Sequence, residues 1–135
     1  MPDLHTTYLG LPLRSPIVAS AGPFTGQLDR LVELELAGAG AVVLPSIFEE
    51  QIEHDEMENH RFREAHAEAF PEATSYFPEM DEYNSGLDKY LDHIQAAKAG
   101  VSIPVIASLN GSTPGGWVRY ATHLEEAGAD ALELN

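Results

Sequence analysis

The sequence predicts an α/β fold: a small N-terminal hairpin, then four parallel strands with helices packed outside them. Three observations predict it. Four short apolar runs, Ile17–Ala19, Ala41–Leu44, Val105–Leu109 and Ala131–Leu134, read as strands buried on both faces. Amphipathic helical stretches separate them, which implies right-handed crossovers and a parallel sheet. The plan also repeats. Leu34-Glu35-Leu36-Ala37-Gly38-Ala39-Gly40-Ala41-Val42-Val43-Leu44-Pro45 is a near-copy of Leu124–Asn135, and Pro16–Ser20 resembles Pro104–Ser108 at almost the same spacing.

Each element has its own local signal. Thr6–Leu9 and Leu11–Leu13 flank Gly10 and read as the hairpin. Ile17–Ala19 lies between Pro16 and Gly22, and the small loop Ser20–Gly26 follows, with Thr25 placed to cap a helix. In that helix Leu28, Leu31, Val32 and Leu36 share a face, and Gly38 ends it. Glu49–Ala69 is rich in acids and histidine and reads as a solvated helix or an ordered surface excursion. Pro71–Tyr83 is aromatic, broken by prolines, and reads as a loop of the kind that carries function. Asn84-Ser85-Gly86 opens a helix whose Leu87, Leu91 and Ile94 share a face, stopped by Gly100. Thr113 and Pro114 suit the N-cap and first position of the next helix, with Trp117, Ala121 and Leu124 as its buried face. Gly128 suits the left-handed position that closes it.

Composition bounds the function. At 135 residues the chain is one domain by size, with 44% apolar residues and no run near the roughly 18 needed to cross a membrane. The net charge of −15 repels phosphates and anionic lipid, so neither nucleic acid nor membrane is expected as a partner. No basic region precedes an apolar one at the N-terminus, so no secretory signal is read there. The chain has no cysteine, which excludes disulfides and thiolate sites and fits a cytoplasmic location.

In parallel α/β folds the site lies at the carboxyl ends of the strands. Those ends are Ser20-Ala21-Gly22, Pro45-Ser46, Asn110-Gly111-Ser112 and Asn135. They contain neither an acid–base pair nor a nucleophile–base pair. Small residues let the backbone approach a flat ligand, and serine and asparagine hydrogen-bond a ring edge, so this is a binding floor. His54, His60 and His66 are spaced by six, about 240° apart on a helix of ~3.6 residues per turn, so they share no face and no metal is expected. Tyr76, Phe77, Tyr83 and Tyr90 suit packing of the long loop onto the scaffold better than a lid over a planar substrate. In Gly111–Gly116, Pro114 removes one of the donors a phosphate cradle would use.

Three motifs in fixed order carry a family resemblance: Thr7-Tyr8-Leu9-Gly10-Leu11 with Ser15–Ser20, then Asn84-Ser85-Gly86-Leu87, then Ala127–Asn135. With them the chain resembles the N-terminal part of the dihydroorotate dehydrogenase family, FMN-dependent (β/α)₈ TIM barrels. The resemblance implies an oxidoreductase acting on a CH–CH bond of a small-molecule substrate, in pyrimidine biosynthesis or a related reaction. It implies that Ala19, Ser20 and Ala21 lie against the flavin and that Ser46 hydrogen-bonds near its ring. Asn84, Ser85, Gly86 and Leu87 resemble the segment that holds the substrate. Asn135 resembles the asparagine that faces substrate and flavin, and Asn110 joins the cofactor set from its loop position.

Two features depart from the family. A lysine usually precedes the serine after strand two, and here that position is Pro45, which favours a substrate other than dihydroorotate. The acidic Glu49–Ala69 segment is also unlike the family pattern. Length adds a third difference, because such a barrel needs about 250 residues. The 135 residues correspond to barrel strands one to four as a single partial domain, with no catalytic residue of their own. The resemblance places the catalytic base just beyond Asn135 and the flavin-phosphate loops after strands seven and eight. A half-barrel would leave two strand edges unpaired, inviting a homo-oligomer or a C-terminal half as partner. The competing expectation is a non-catalytic half-barrel assembly module.

Overall fold

The computed structural model describes residues 2–69 and 86–135, and of these the side chains of 63 and 65–69 stand outside the description. The loop Pro71–Tyr83, its aromatic residues, and Asn84 and Ser85 all fall outside the described residues.

The hairpin pairs β1 (Thr6–Tyr8) with β2 (Leu11–Leu13). Its two-residue turn holds Leu9 at φ 53° and Gly10 at φ 76°, the paired left-handed backbone of a tight hairpin turn. Four strands then form one parallel sheet in chain order: β3 (Val18–Ala19), β4 (Ala41–Phe48), β5 (Val105–Asn110) and β6 (Ala131–Leu134). The helices α1 (Leu28–Leu36), α2 (Glu49–Ala69), α3 (Gly86–Gly100) and α4 (Pro114–Glu126) lie between them in sequence. This is the α/β arrangement expected from the sequence, with the sheet order of a partial (β/α)₈ barrel.

The two sheet faces have different neighbours. Val42, Leu44, Ile47, Val105, Ala107 and Leu109 pack with Leu31, Ile52, Leu87, Ile94 and Leu124 from the helices. Ala41, Val43 and Ile106 point the other way, onto Leu11 and Leu13 of the hairpin with Val18, Ala21 and Ala131. This second face is the inner one of a barrel, and the hairpin covers its lower part.

The repeated Ala-Gly-Ala sequences make the same local structure twice. Gly38 (φ 102°) ends α1 with its N–H donating to Glu35 O and that of Ala39 to Leu34 O. Gly128 (φ 105°) ends α4 with the equivalent bonds to Glu125 and Leu124. Each glycine takes the left-handed position that reverses the chain into a strand. Asp130 then ties β6 to its surroundings, receiving the Val105 N–H at 2.8 Å and Lys98 Nζ at 2.7 Å.

Several local expectations need correction. Thr25 does not cap α1. It lies buried in a short 3₁₀ turn, Pro23–Gly26, its hydroxyl donating to Gly22 O, and Gln27 precedes α1 without a side-chain cap. Leu36 is 82% exposed, because the inward face of α1 runs through Leu31 instead. In α4 the fully buried positions are Gly116, Tyr120 and Leu124, with Trp117 only partly buried. Glu49–Ala69 forms a helix, and among its described side chains Glu49 and Ile52 are buried. Among the described residues no helix is long and apolar enough to cross a membrane.

Candidate functional site

All four parallel strands point their carboxyl ends the same way, so the predicted rim residues Ser20, Ser46, Asn110 and Asn135 fall at one end of the sheet. They are not level. Ala19 aligns with Val42 and Val105, three register positions below Ser108, while Ser46 aligns with Ser108 and Asn110 with Phe48. Ala19 packs with the helix-side core, Ala21 with the inner cluster, and Ser20 is exposed.

The inner face changes character along the strands. Its lower layer, Val18, Val43, Ile106 and Ala131, is apolar. The next layer is Ser46, Ser108 and Glu133, side by side in register on β4, β5 and β6. Ser46 Oγ lies 2.7 Å from Ser108 Oγ, and Ser108 Oγ donates to Glu133 Oε1 at 2.8 Å. Asn135 Nδ2 donates to Glu133 Oε1 at 3.1 Å and to Ser108 Oγ at 3.3 Å. The Asn135 backbone N–H continues the ladder to Leu109 O. Two predicted residues, Ser46 and Asn135, are therefore joined through Ser108 and Glu133, which sequence reasoning missed. The signal was a serine and a glutamate inside otherwise apolar strands.

Pro45 explains how this layer is built. Within β4 it has no N–H to give, and the β4–β5 register shifts between Val43 and Ser46. Beside this irregularity Tyr90 on α3 reaches the backbone of Ser108. Tyr90 Oη accepts the Ser108 N–H at 3.1 Å and faces Ser108 O at 3.4 Å. Burial pushes the Tyr90 phenol up to about 12, with the nearby Glu133 charge acting the same way against the opposing backbone bond.

A cleft of about 300 Å³ lies behind this wall, between α2, α3 and the bulge of β4. Pro45, Ser46, Asp55, Gly86, Lys89 and His93 are among its lining residues. Ser46 and Gly86 thus share a cleft. Leu87, expected in the substrate segment, is buried in the helix-side core. Asn84 and Ser85 lie outside the described residues. Among the described residues no three metal-ligating side chains come together, and His60 lies 3.5 Å from Glu64 on the surface of α2.

Fold and rim together define a parallel α/β chain with a polar wall at the carboxyl ends of its strands. No family model matches the chain. It is 29% identical over 136 residues to a protein of Aeropyrum pernix named dihydroorotate dehydrogenase A (fumarate), covering 99% of this chain and 41% of that relative. It is 27% identical over 139 residues to the dihydroorotate dehydrogenase B (NAD(+)) catalytic subunit of Thermoplasma acidophilum, covering 100% and 42%. The likeness to dihydroorotate dehydrogenases thus extends over essentially the whole chain, which spans about two fifths of the length of these relatives.

Proposed function

We propose that the chain forms one wall of the flavin pocket of an FMN-dependent oxidoreductase of the dihydroorotate dehydrogenase type, acting on a CH–CH bond. The observation that supports this reading is the layered inner face. Apolar side chains sit below, and a hydrogen-bonding row of Ser46, Ser108, Glu133 and Asn135 sits above. A flat heterocycle, apolar on its faces and polar at its edge, fits such a step. Bound FMN would supply the redox chemistry, and the protein would supply orientation. In this reading the loop Ser20–Ala21 would face the ring by its backbone, Ser46, Asn110 and Asn135 would meet its polar edge, and Ala19 would contribute backbone alone.

Asn84, Ser85 and Gly86 are proposed to hold the substrate, with Leu87 fixing the segment through the core. Pro45 replaces the fixed positive charge of the resembled family with an uncharged bulge. The substrate is therefore proposed to be a small carbonyl compound other than dihydroorotate.

The test is colour. Purified protein should retain FMN, with visible absorbance that dithionite bleaches. A colourless protein that retains no flavin after incubation with excess FMN overturns the proposal.

A further inference from the structure

We infer that Glu133 fixes the direction of the hydrogen bonds within the row Ser46, Ser108, Glu133 and Asn135, so that this row offers its ligand acceptors only and selects a ring N–H rather than a ring carbonyl at that point. A carboxylate can accept hydrogen bonds but not give them. Ser108 therefore spends its one hydroxyl proton on Glu133, 2.8 Å away. The 2.7 Å contact between Ser108 and Ser46 must then run the other way, with Ser46 donating. Asn135 turns its amide nitrogen toward the same acceptors, giving one proton to Glu133 and the other to Ser108. The opposite amide orientation would set its carbonyl oxygen against the carboxylate.

The protons of the row are thereby consumed inside it. Ser46 has no proton left to give and keeps lone pairs, and Asn135 keeps its Oδ1. No lysine stands at position 45 to add a donor. Ser108 is fully buried, so water cannot reset the order from its side. A ligand carbonyl or carboxylate placed here would meet oxygen against oxygen, while an N–H would be matched. Glu133 acts through Ser108 and Asn135, as a positioning residue. The step from polarity to ligand rests on the flavin reading above: in oxidised FMN the one ring N–H, at N3, is the group that matches.

Two measurements test this. In the ligand-free, ¹⁵N-labelled protein, the Asn135 side-chain amide protons should exchange at least about fivefold more slowly than a free amide, as expected for bonds of about 1 kcal/mol. Exchange at the free rate overturns the inference whether or not flavin binds. FMN and N3-methyl-FMN are then titrated by fluorescence quenching against the protein, Glu133→Gln and Ser108→Ala. A glutamine can donate as well as accept, and alanine at 108 frees the Ser46 proton. The preference for FMN should be about tenfold in the unmodified protein and should shrink to within about threefold in both variants. The variants control for the bulk of the methyl group. Equal affinity for the two flavins, or a preference unchanged by both variants, overturns the inference. Retention of neither flavin removes the flavin reading and the ligand half of the inference with it, while the exchange rate still decides the direction of the bonds.

Discussion

The carboxylate of Glu49, at the first turn of α2, is seated on the N-terminus of α4, where Thr113 gives it both its N–H at 2.9 Å and its hydroxyl at 2.5 Å. Ser112 adds its own N–H and its hydroxyl. These bonds, led by the Thr113 hydroxyl, pull the Glu49 carboxyl from 4.5 down to about 2. The folded state therefore holds the proton less tightly than the unfolded state. The stability this group contributes is fully present above about 4.5 and is lost as pH falls toward about 2. Urea midpoints measured from pH 7 down to pH 3 should fall across that window, and Glu49→Gln should flatten the fall. An unchanged pH profile in the variant would show that Glu49 is not the group responsible.

The same contact gives two adjacent glycines opposite signs. A Cβ at Gly116 would run into the Glu49 carboxylate, whereas one at Gly115 would meet nothing within 4 Å. Alanine in a helix normally stabilises relative to glycine by roughly 0.5–1 kcal/mol. Gly115→Ala should show that gain. Gly116→Ala should instead lose about 1–3 kcal/mol, the usual cost of overpacking. Denaturant titration of the two variants checks this, and a gain from Gly116→Ala would mean that Glu49 moves aside without penalty.

Tyr90 anchors α3 to the backbone of Ser108 beside the Pro45 bulge. Tyr90→Phe leaves the Ser108 N–H and carbonyl without their phenol, at an expected cost of about 1–3 kcal/mol. The alkaline profile supplies a second readout. Folding raises the Tyr90 phenol from 10.0 to about 12, so its contribution is present below about 10 and lost as pH rises through about 12. The phenylalanine variant should lose that decline. A variant as stable as the parent at neutral pH would mean that Ser108 finds other partners.

What could be read from the sequence follows from which signals are local. Gly38 and Gly128 announced helix ends because only the left-handed backbone of a helix C-terminus asks for glycine there, and both have it. The four parallel strands were legible from apolar runs. Pro45 misled, since a proline after an apolar run reads as a terminator, yet β4 runs on through it to Phe48 with a bulge. The register shift at that proline is set by pairing with β5, which is far away in sequence. The polar wall was half legible. Ser46 and Asn135 stood out at strand ends, but Ser108 and Glu133 were absorbed into strands read as apolar on both faces. Alternation is the missing signal, and it becomes plain only when register sets Ser46, Ser108 and Glu133 side by side.

Tyr120 offers a test in which removing a polar group should do no harm. Its side chain is 1% exposed within the helix-side core, and its hydroxyl has no hydrogen-bond partner among the described residues. Burial raises its phenol above the usual tyrosine value, against the pull of the neighbouring Arg119. A buried hydroxyl without a partner loses its water bonds on folding and gains nothing in return. The ring itself fills the core and carries Arg119 at 5.1 Å from its centroid. Tyr120→Phe keeps the ring and removes only the unpaired oxygen, so stability should stay level or rise by up to about 1 kcal/mol. Tyr120→Leu removes the flat ring as well and should lose stability through the altered packing. Thermal and urea denaturation of the two variants separate the roles, and a loss above about 1 kcal/mol in Tyr120→Phe would mean that the hydroxyl has a partner in solution.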